Sequence, residues 1–138
     1  MNVLVDTPIW SLAFRRRPTQ LSKPENILME AWSRLIQDNQ AVLIGPVRQE
    51  ILSGIRDIKT YDRLRRVLRA FDDEPLILDD YENAAKCGNV CRSRGITGSS
   101  VDYLICAVAI RRNLAIYTTD ADFTHYAKHL PIHLYEPA

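Results

Sequence analysis

Five short apolar runs, separated by segments of helical periodicity, set the limits on what this chain can fold into. They are Val3-Leu4-Val5, Ala41-Val42-Leu43-Ile44, Pro75-Leu76-Ile77-Leu78, Ala115-Ile116-Tyr117-Thr118-Thr119 and Ile132-His133-Leu134-Tyr135. The first two are apolar without alternation, the pattern of strands buried on both faces in a parallel sheet. Between the runs lie helical patterns. Ile9 to Phe14 reads as a short helix entered through Pro8, and Arg15 to Pro24 as an exposed loop. Ile27, Leu28, Ala31, Trp32, Leu35 and Ile36 predict an amphipathic helix near residues 25–38. Pro46 opens a helix with Val47, Ile51 and Ile55 turned inward, and another starts near Thr60 with Leu64, Leu68 and Phe71 on one side. Asp79 or Asp80 caps a helix whose small-residue face holds Ala84, Ala85, Gly88 and Cys91. After an Arg92 to Gly98 loop, Ser99 to Asp102 opens a helix that is apolar all round from Tyr103 to Ile110, the mark of burial. A short helix is expected after Asp122. Strands alternating with helices make the fold α/β with a mainly parallel sheet, and right-handed crossovers put helices on both faces.

The chain of 138 residues is expected to form one domain with a substantial core. A net charge of +1 leaves no whole-molecule field to recruit nucleic acid or anionic membrane, so any such attraction is local. No apolar run approaches a membrane span, and the N-terminus has no signal-peptide pattern. Cys87, Cys91 and Cys106 have no finger-like spacing, and an odd count suits free thiols in a reducing cytoplasm.

The acids carry the chemistry. Asp6 ends the first strand. Glu50 lies about one turn into the helix after the second. Asp102 sits at the mouth of the most apolar helix, and Asp120 and Asp122 follow the fourth strand. Each has an ordinary reading as a cap or a turn residue. Together they map to the carboxyl edge of a parallel sheet, where ligands bind at the switch in strand order. Clustered carboxylates repel and raise each other's pKa, and a divalent cation relieves this. An all-oxygen set selects Mg²⁺ or Mn²⁺ over Zn²⁺, and such sites serve phosphoryl chemistry.

These residues resemble a known family. Asp6-Thr7 after an apolar strand, Glu50 in an early helix, Ser100-Val101-Asp102-Tyr103-Leu104-Ile105 opening an apolar helix, and Thr119-Asp120-Ala121-Asp122-Phe123 after a strand look like the PIN domain. More narrowly, the whole chain is similar to the VapC toxins of bacterial toxin–antitoxin pairs. The resemblance implies a three-layer fold with a five-stranded sheet of order 3-2-1-4-5 and a Mg²⁺- or Mn²⁺-dependent endoribonuclease. It implies Asp6, Glu50, Asp102 and Asp120 as the catalytic acids. Asp6, Asp102, Asp120 and Asp122 are the implied metal ligands, with Thr7 and Thr119 as supporting polar residues. The expected partners are an RNA substrate, transfer or ribosomal, a cognate VapB-like antitoxin and a second copy of the chain. Pro8 and Cys106 depart from the family pattern, standing where a hydroxyl residue and an alanine are usual.

Arg15, Arg16 and Arg17, and the series from Arg56 to Arg69, are further candidates for gripping RNA phosphates, or else a solvated face. The apolar surface around Trp10, Phe14, Trp32 and Leu35 reads as core, as an antitoxin groove or as a dimer contact. His125, His129 and His133 recur every four residues, but Pro131 breaks that face and argues against a zinc site. Two rivals remain: a catalytically silent PIN domain, and a receiver-like signalling domain. The latter would need Asp79 or Asp80 as phosphate acceptor and a lysine after the last strand, where none stands.

Overall fold

The computed structural model describes residues 1–15 and 18–137. Four strands, β1 (Val3–Val5), β2 (Ala41–Val42), β3 (Ala115–Tyr117) and β4 (His133–Leu134), form one sheet of order β2-β1-β3-β4. All pairings are parallel, with Val3 opposite Ala41 and Ala115, and Val5 opposite Tyr117. Helix α1 (Thr7–Arg15) and α2 (Lys23–Gln37) connect β1 to β2. Then α3 (Gly45–Leu52), α4 (Ile58–Leu68), α5 (Leu78–Ser93) and α6 (Ser100–Arg112) lead to β3, and α7 (Asp122–Tyr126) leads to β4. The chain moves one way from β1 to β2 and the other way from β2 to β3. Right-handed crossovers therefore put α1 and α2 on one face and α5 and α6 on the other.

The predicted fifth strand is absent, so the sheet has four strands rather than five. Beside β2 there is only an isolated parallel bridge of Leu43 with Asp73, plus a bond from Glu74 N–H to the Leu43 carbonyl. The cause is local. Ile77 N–H donates to Asp80 Oδ2 at 3.0 Å in the cap that begins α5, which ends the extended run. Leu78, assigned to a strand by its apolarity, is 73% exposed on the first turn of that helix. Arg48 pins the same edge, donating from Nε to Asp73 Oδ1 at 2.9 Å and to the Leu68 and Phe71 carbonyls.

Local signals explain the other elements. Ser22 and Glu25 form a reciprocal capping box at the start of α2, inside the segment read as a loop. Ser99 caps α6, and Asn113 ends it in the left-handed conformation at φ 54°. Helix α6 buries Tyr103 and Ile105 through Ala109, as its all-apolar sequence requires. Trp10 and Leu35 belong to the core, with Trp10 stacked on Phe14 and edge-on to Trp32. Trp32 also lines a surface groove of about 430 Å³ with Leu12, Leu21 and Met29.

Candidate functional site

The strand register builds the site. Val5 and Tyr117 are level in adjacent parallel strands, so Asp6 and Thr118, one residue further on, leave the sheet side by side. The Thr118 hydroxyl donates to Asp6 Oδ2 at 2.8 Å, and Thr7 N–H donates to Oδ1 at 2.8 Å. Thr118 Oγ1 in turn accepts the Asp120 N–H at 3.0 Å, and Asp120 Oδ1 accepts the Asp122 N–H at 2.9 Å. The backbone after β3 is thus coiled around one threonine oxygen. Glu50, from α3, is held by the Thr7 hydroxyl at 2.7 Å. Asp102, in the first turn of α6, accepts the Tyr126 hydroxyl at 2.6 Å.

Asp6, Glu50, Asp102, Asp120 and Asp122 line one cleft of about 580 Å³, together with Thr7, Pro8, Ser53, Thr97, Gly98 and Ser99. No lysine, arginine, histidine or cysteine is among these lining residues. Carboxylate oxygens of Asp102, Asp120 and Asp122 come within 4.8 Å of one another, close enough to share one ion. Asp6 and Glu50 stand outside that closest trio. Asp6 is only 4% exposed. Burial pushes its carboxyl up to about 6, with the charges of Asp102 and Glu50 adding to the rise and the bonds from Thr118 and Thr7 opposing it. Asp102 is also raised, chiefly by burial, with Asp120 and Glu50 contributing and Tyr126 pulling the other way. Uncompensated acids in a half-buried cleft with only oxygen donors fit a hard divalent cation.

Of the supporting residues predicted from sequence, Thr7 is at the site, but Thr119 is exposed and Thr118 bonds Asp6 instead. The strand direction decides between the two threonines, and no residue preference distinguishes them. The sequence reading does not reach Tyr126, because its bond to Asp102 joins two separate helices, α6 and α7. Arg16 and Arg17 lie outside the described residues, and Arg15 closes α1. Arg56, Arg63, Arg66 and Arg69 are exposed, whereas Arg65 is half-buried and pairs with Asp62 at 3.7 Å. The three histidines are exposed and belong to no metal-sized cluster among the described residues. The three cysteines are buried free thiols.

The PIN domain family model matches residues 3–129. The chain belongs to the PIN domain family. It is 31% identical over 131 residues to a VapC ribonuclease of Mycobacterium bovis and to ribonuclease VapC11 of Mycobacterium tuberculosis, covering 91% of this chain and 92% of each relative. Its fold is similar to that of FitAcB from Neisseria gonorrhoeae, with a TM-score of 0.75 and 18% identity over 98% of this chain and 97% of that one. VapBC2 from Rickettsia felis, bound to a promoter DNA fragment, superposes with a TM-score of 0.74 and 16% identity over 98% of both chains.

In this PIN domain neither acceptor named for the receiver-like alternative lines the acidic cleft: Asp79 is exposed on the first turn of α5, and Asp80 is buried. Asp80 is 0% exposed and accepts from Arg111 Nε at 2.7 Å and Nη2 at 2.9 Å. Burial alone would raise its carboxyl, but the Arg111 and Ile77 bonds hold it below the usual carboxylate range. It is a structural ion pair, remote from the cleft lining. No helix among the described residues is long and apolar enough to cross a membrane.

Proposed function

We propose that this PIN domain is a divalent-cation-dependent endoribonuclease that acts as the toxin of a toxin–antitoxin pair and is neutralised by a cognate VapB-like antitoxin. The observation that carries the reading is the convergence of five carboxylates in one cleft without a basic residue lining it. Relatives named as VapC ribonucleases support RNA as the substrate, and solved structures of toxin–antitoxin complexes support the antitoxin.

Asp102, Asp120 and Asp122 are the residues that would hold Mg²⁺ or Mn²⁺, with Asp6 completing the set. When bound, such a cation supplies an activated water at neutral pH and stabilisation of the leaving oxygen. The chain's own residues do the rest. Thr118 and Thr7 fix both oxygens of Asp6, so its carboxylate cannot swing away when the cleft fills. Thr7 also fixes Glu50 through its hydroxyl, and Glu50 can accept a proton from water at its carboxylate. Thr118 sets the turn that carries Asp120 and Asp122. In-line hydrolysis leaves a 5′-phosphate and a 3′-hydroxyl. Arg15, Arg16 and Arg17 are the proposed phosphate contacts.

The test is incubation of purified protein with transfer RNA and ribosomal RNA in Mg²⁺ or Mn²⁺, followed by end-group analysis. The reading predicts discrete fragments with 5′-phosphates, no cutting in EDTA, and protection by the protein encoded next to this one. Intact RNA under all conditions would remove the nuclease reading and leave the silent binding module.

A further inference from the structure

Helix α7 is five residues long and carries at its two ends an acid of the cleft and a tyrosine bonded to another of its acids. Its first residue is Asp122, one of the trio of clustered acids. Its last is Tyr126, 0% exposed, whose hydroxyl donates to Asp102 Oδ2 at 2.6 Å. Asp102 belongs to a different helix, so this hydrogen bond ties α6 to α7 at the point where their acids must meet. The tyrosine ring cannot move to follow a wandering carboxylate. It is wedged edge-on against Phe123 at 5.1 Å and lies tilted against Tyr103 at 5.4 Å.

The surroundings are shaped to admit that hydroxyl. A Cβ on Gly98 would lie 2.4 Å from the Tyr126 hydroxyl oxygen and 2.7 Å from that of Tyr103. Both rings are buried, so neither has room to retreat. Glycine at 98 is therefore required by space, where the cleft wall passes over the two tyrosines.

We propose that Tyr126 is a positioning residue: its buried hydroxyl fixes the Asp102 carboxylate relative to Asp120 and Asp122 for cation binding, with Gly98 providing the space. The proposal rests on the reading of this cleft as a cation site. Partners that orient ligating carboxylates act in this way, and their loss typically lowers metal affinity about 10–100-fold.

Calorimetric titration of metal-free protein with Mn²⁺ tests it without any substrate. Tyr126→Phe keeps the ring and removes only the hydroxyl, and it is expected to weaken Mn²⁺ binding about tenfold or more. Gly98→Ala is expected to weaken it as well. Tyr103→Phe is the control, because the hydroxyl that donates to Asp102 is that of Tyr126, and it is expected to bind as wild type does. Wild-type affinity in Tyr126→Phe overturns the proposal. So does an equal loss in Tyr103→Phe, which would mean that packing alone is at work. If wild type itself binds no Mn²⁺, the proposal and the cation-dependent reading both fail. If wild type binds and Tyr126→Phe binds equally well, only the positioning role fails.

Discussion

The Asp6 carboxylate is a group that function places where stability would not. Its carboxyl rises from 3.8 to about 6 on folding, mainly because it is buried. One pKa unit corresponds to about 1.4 kcal/mol, so the folded protein without a cation carries about 3 kcal/mol of strain from this group at neutral pH. The sign follows from proton counting. Below about pH 4 both states hold the proton and the group is neutral to stability. Between about pH 4 and pH 6 the folded state keeps a proton that the unfolded state has released, so stability falls as pH rises. Above about pH 6 the loss is complete. Asp6→Asn removes the charge at nearly constant volume and keeps an acceptor for Thr7 N–H. Its amide obliges the Thr118 hydroxyl to turn, at a cost of about 1 kcal/mol. The net expectation at pH 7.5 in EDTA is a variant about 2 kcal/mol more stable than wild type. With about 2.1 cal/mol/K of unfolding entropy per residue, that is a rise in Tm of about 7 °C. At pH 4 the order reverses, because only the disturbed hydrogen bond remains. The assay is thermal unfolding followed by circular dichroism at the two pH values. If Asp6→Asn melts below wild type at pH 7.5, or if the gap does not depend on pH, the reasoning about Asp6 is wrong.

Three further outcomes are expected. Arg111→Met leaves Asp80 charged in the interior with the Ile77 N–H but no countercharge, which costs about 3–5 kcal/mol and appears as a lower urea midpoint. Because the folded Asp80 carboxyl is depressed, the stability it contributes is present above about pH 4 and lost as pH falls through the folded value, so the deficit of the variant narrows in acid. Thr118→Val removes the donor to Asp6 and the acceptor for Asp120 N–H, and single-turnover RNA cleavage is expected to slow about tenfold or more at unchanged far-ultraviolet circular dichroism. Thr119→Val, on the exposed neighbour, is expected to cut at the wild-type rate.

How far the sequence speaks for the structure depends on whether the cause is local. Val3-Leu4-Val5 and Ala115-Ile116-Tyr117 are buried on both faces, and no other element type suits such short unalternating runs. The apolar body of α6 was legible for the same reason. Pro75 to Leu78 has similar hydrophobicity but a different fate, because Asp80, three residues past Ile77, captures the Ile77 N–H and starts a helix. That outcome depends on Arg111 being available to neutralise Asp80 from another helix. The acids of the cleft were readable one by one because each sits just after a strand or in the first turns of a helix. Their braces were not. Thr118, rather than Thr119, is set by parallel register, and Tyr126 by the packing of α7 against α6. Contacts made between elements leave little trace in residue spacing.

RNA hydrolysis in the carboxylate cleft is expected to depend on a divalent cation and on Asp6 and Asp102. The most direct measurement is the rate of RNA cleavage as Mn²⁺ is titrated into metal-free wild type, Asp102→Asn and Asp6→Asn, each first shown to be folded by its thermal transition. The expectation for wild type is saturable, Mn²⁺-dependent cleavage with complete reversal by EDTA, and for both variants a loss of at least about a hundredfold while their folds persist. Cleavage by a folded Asp102→Asn protein at the wild-type rate and with the wild-type Mn²⁺ dependence would contradict it.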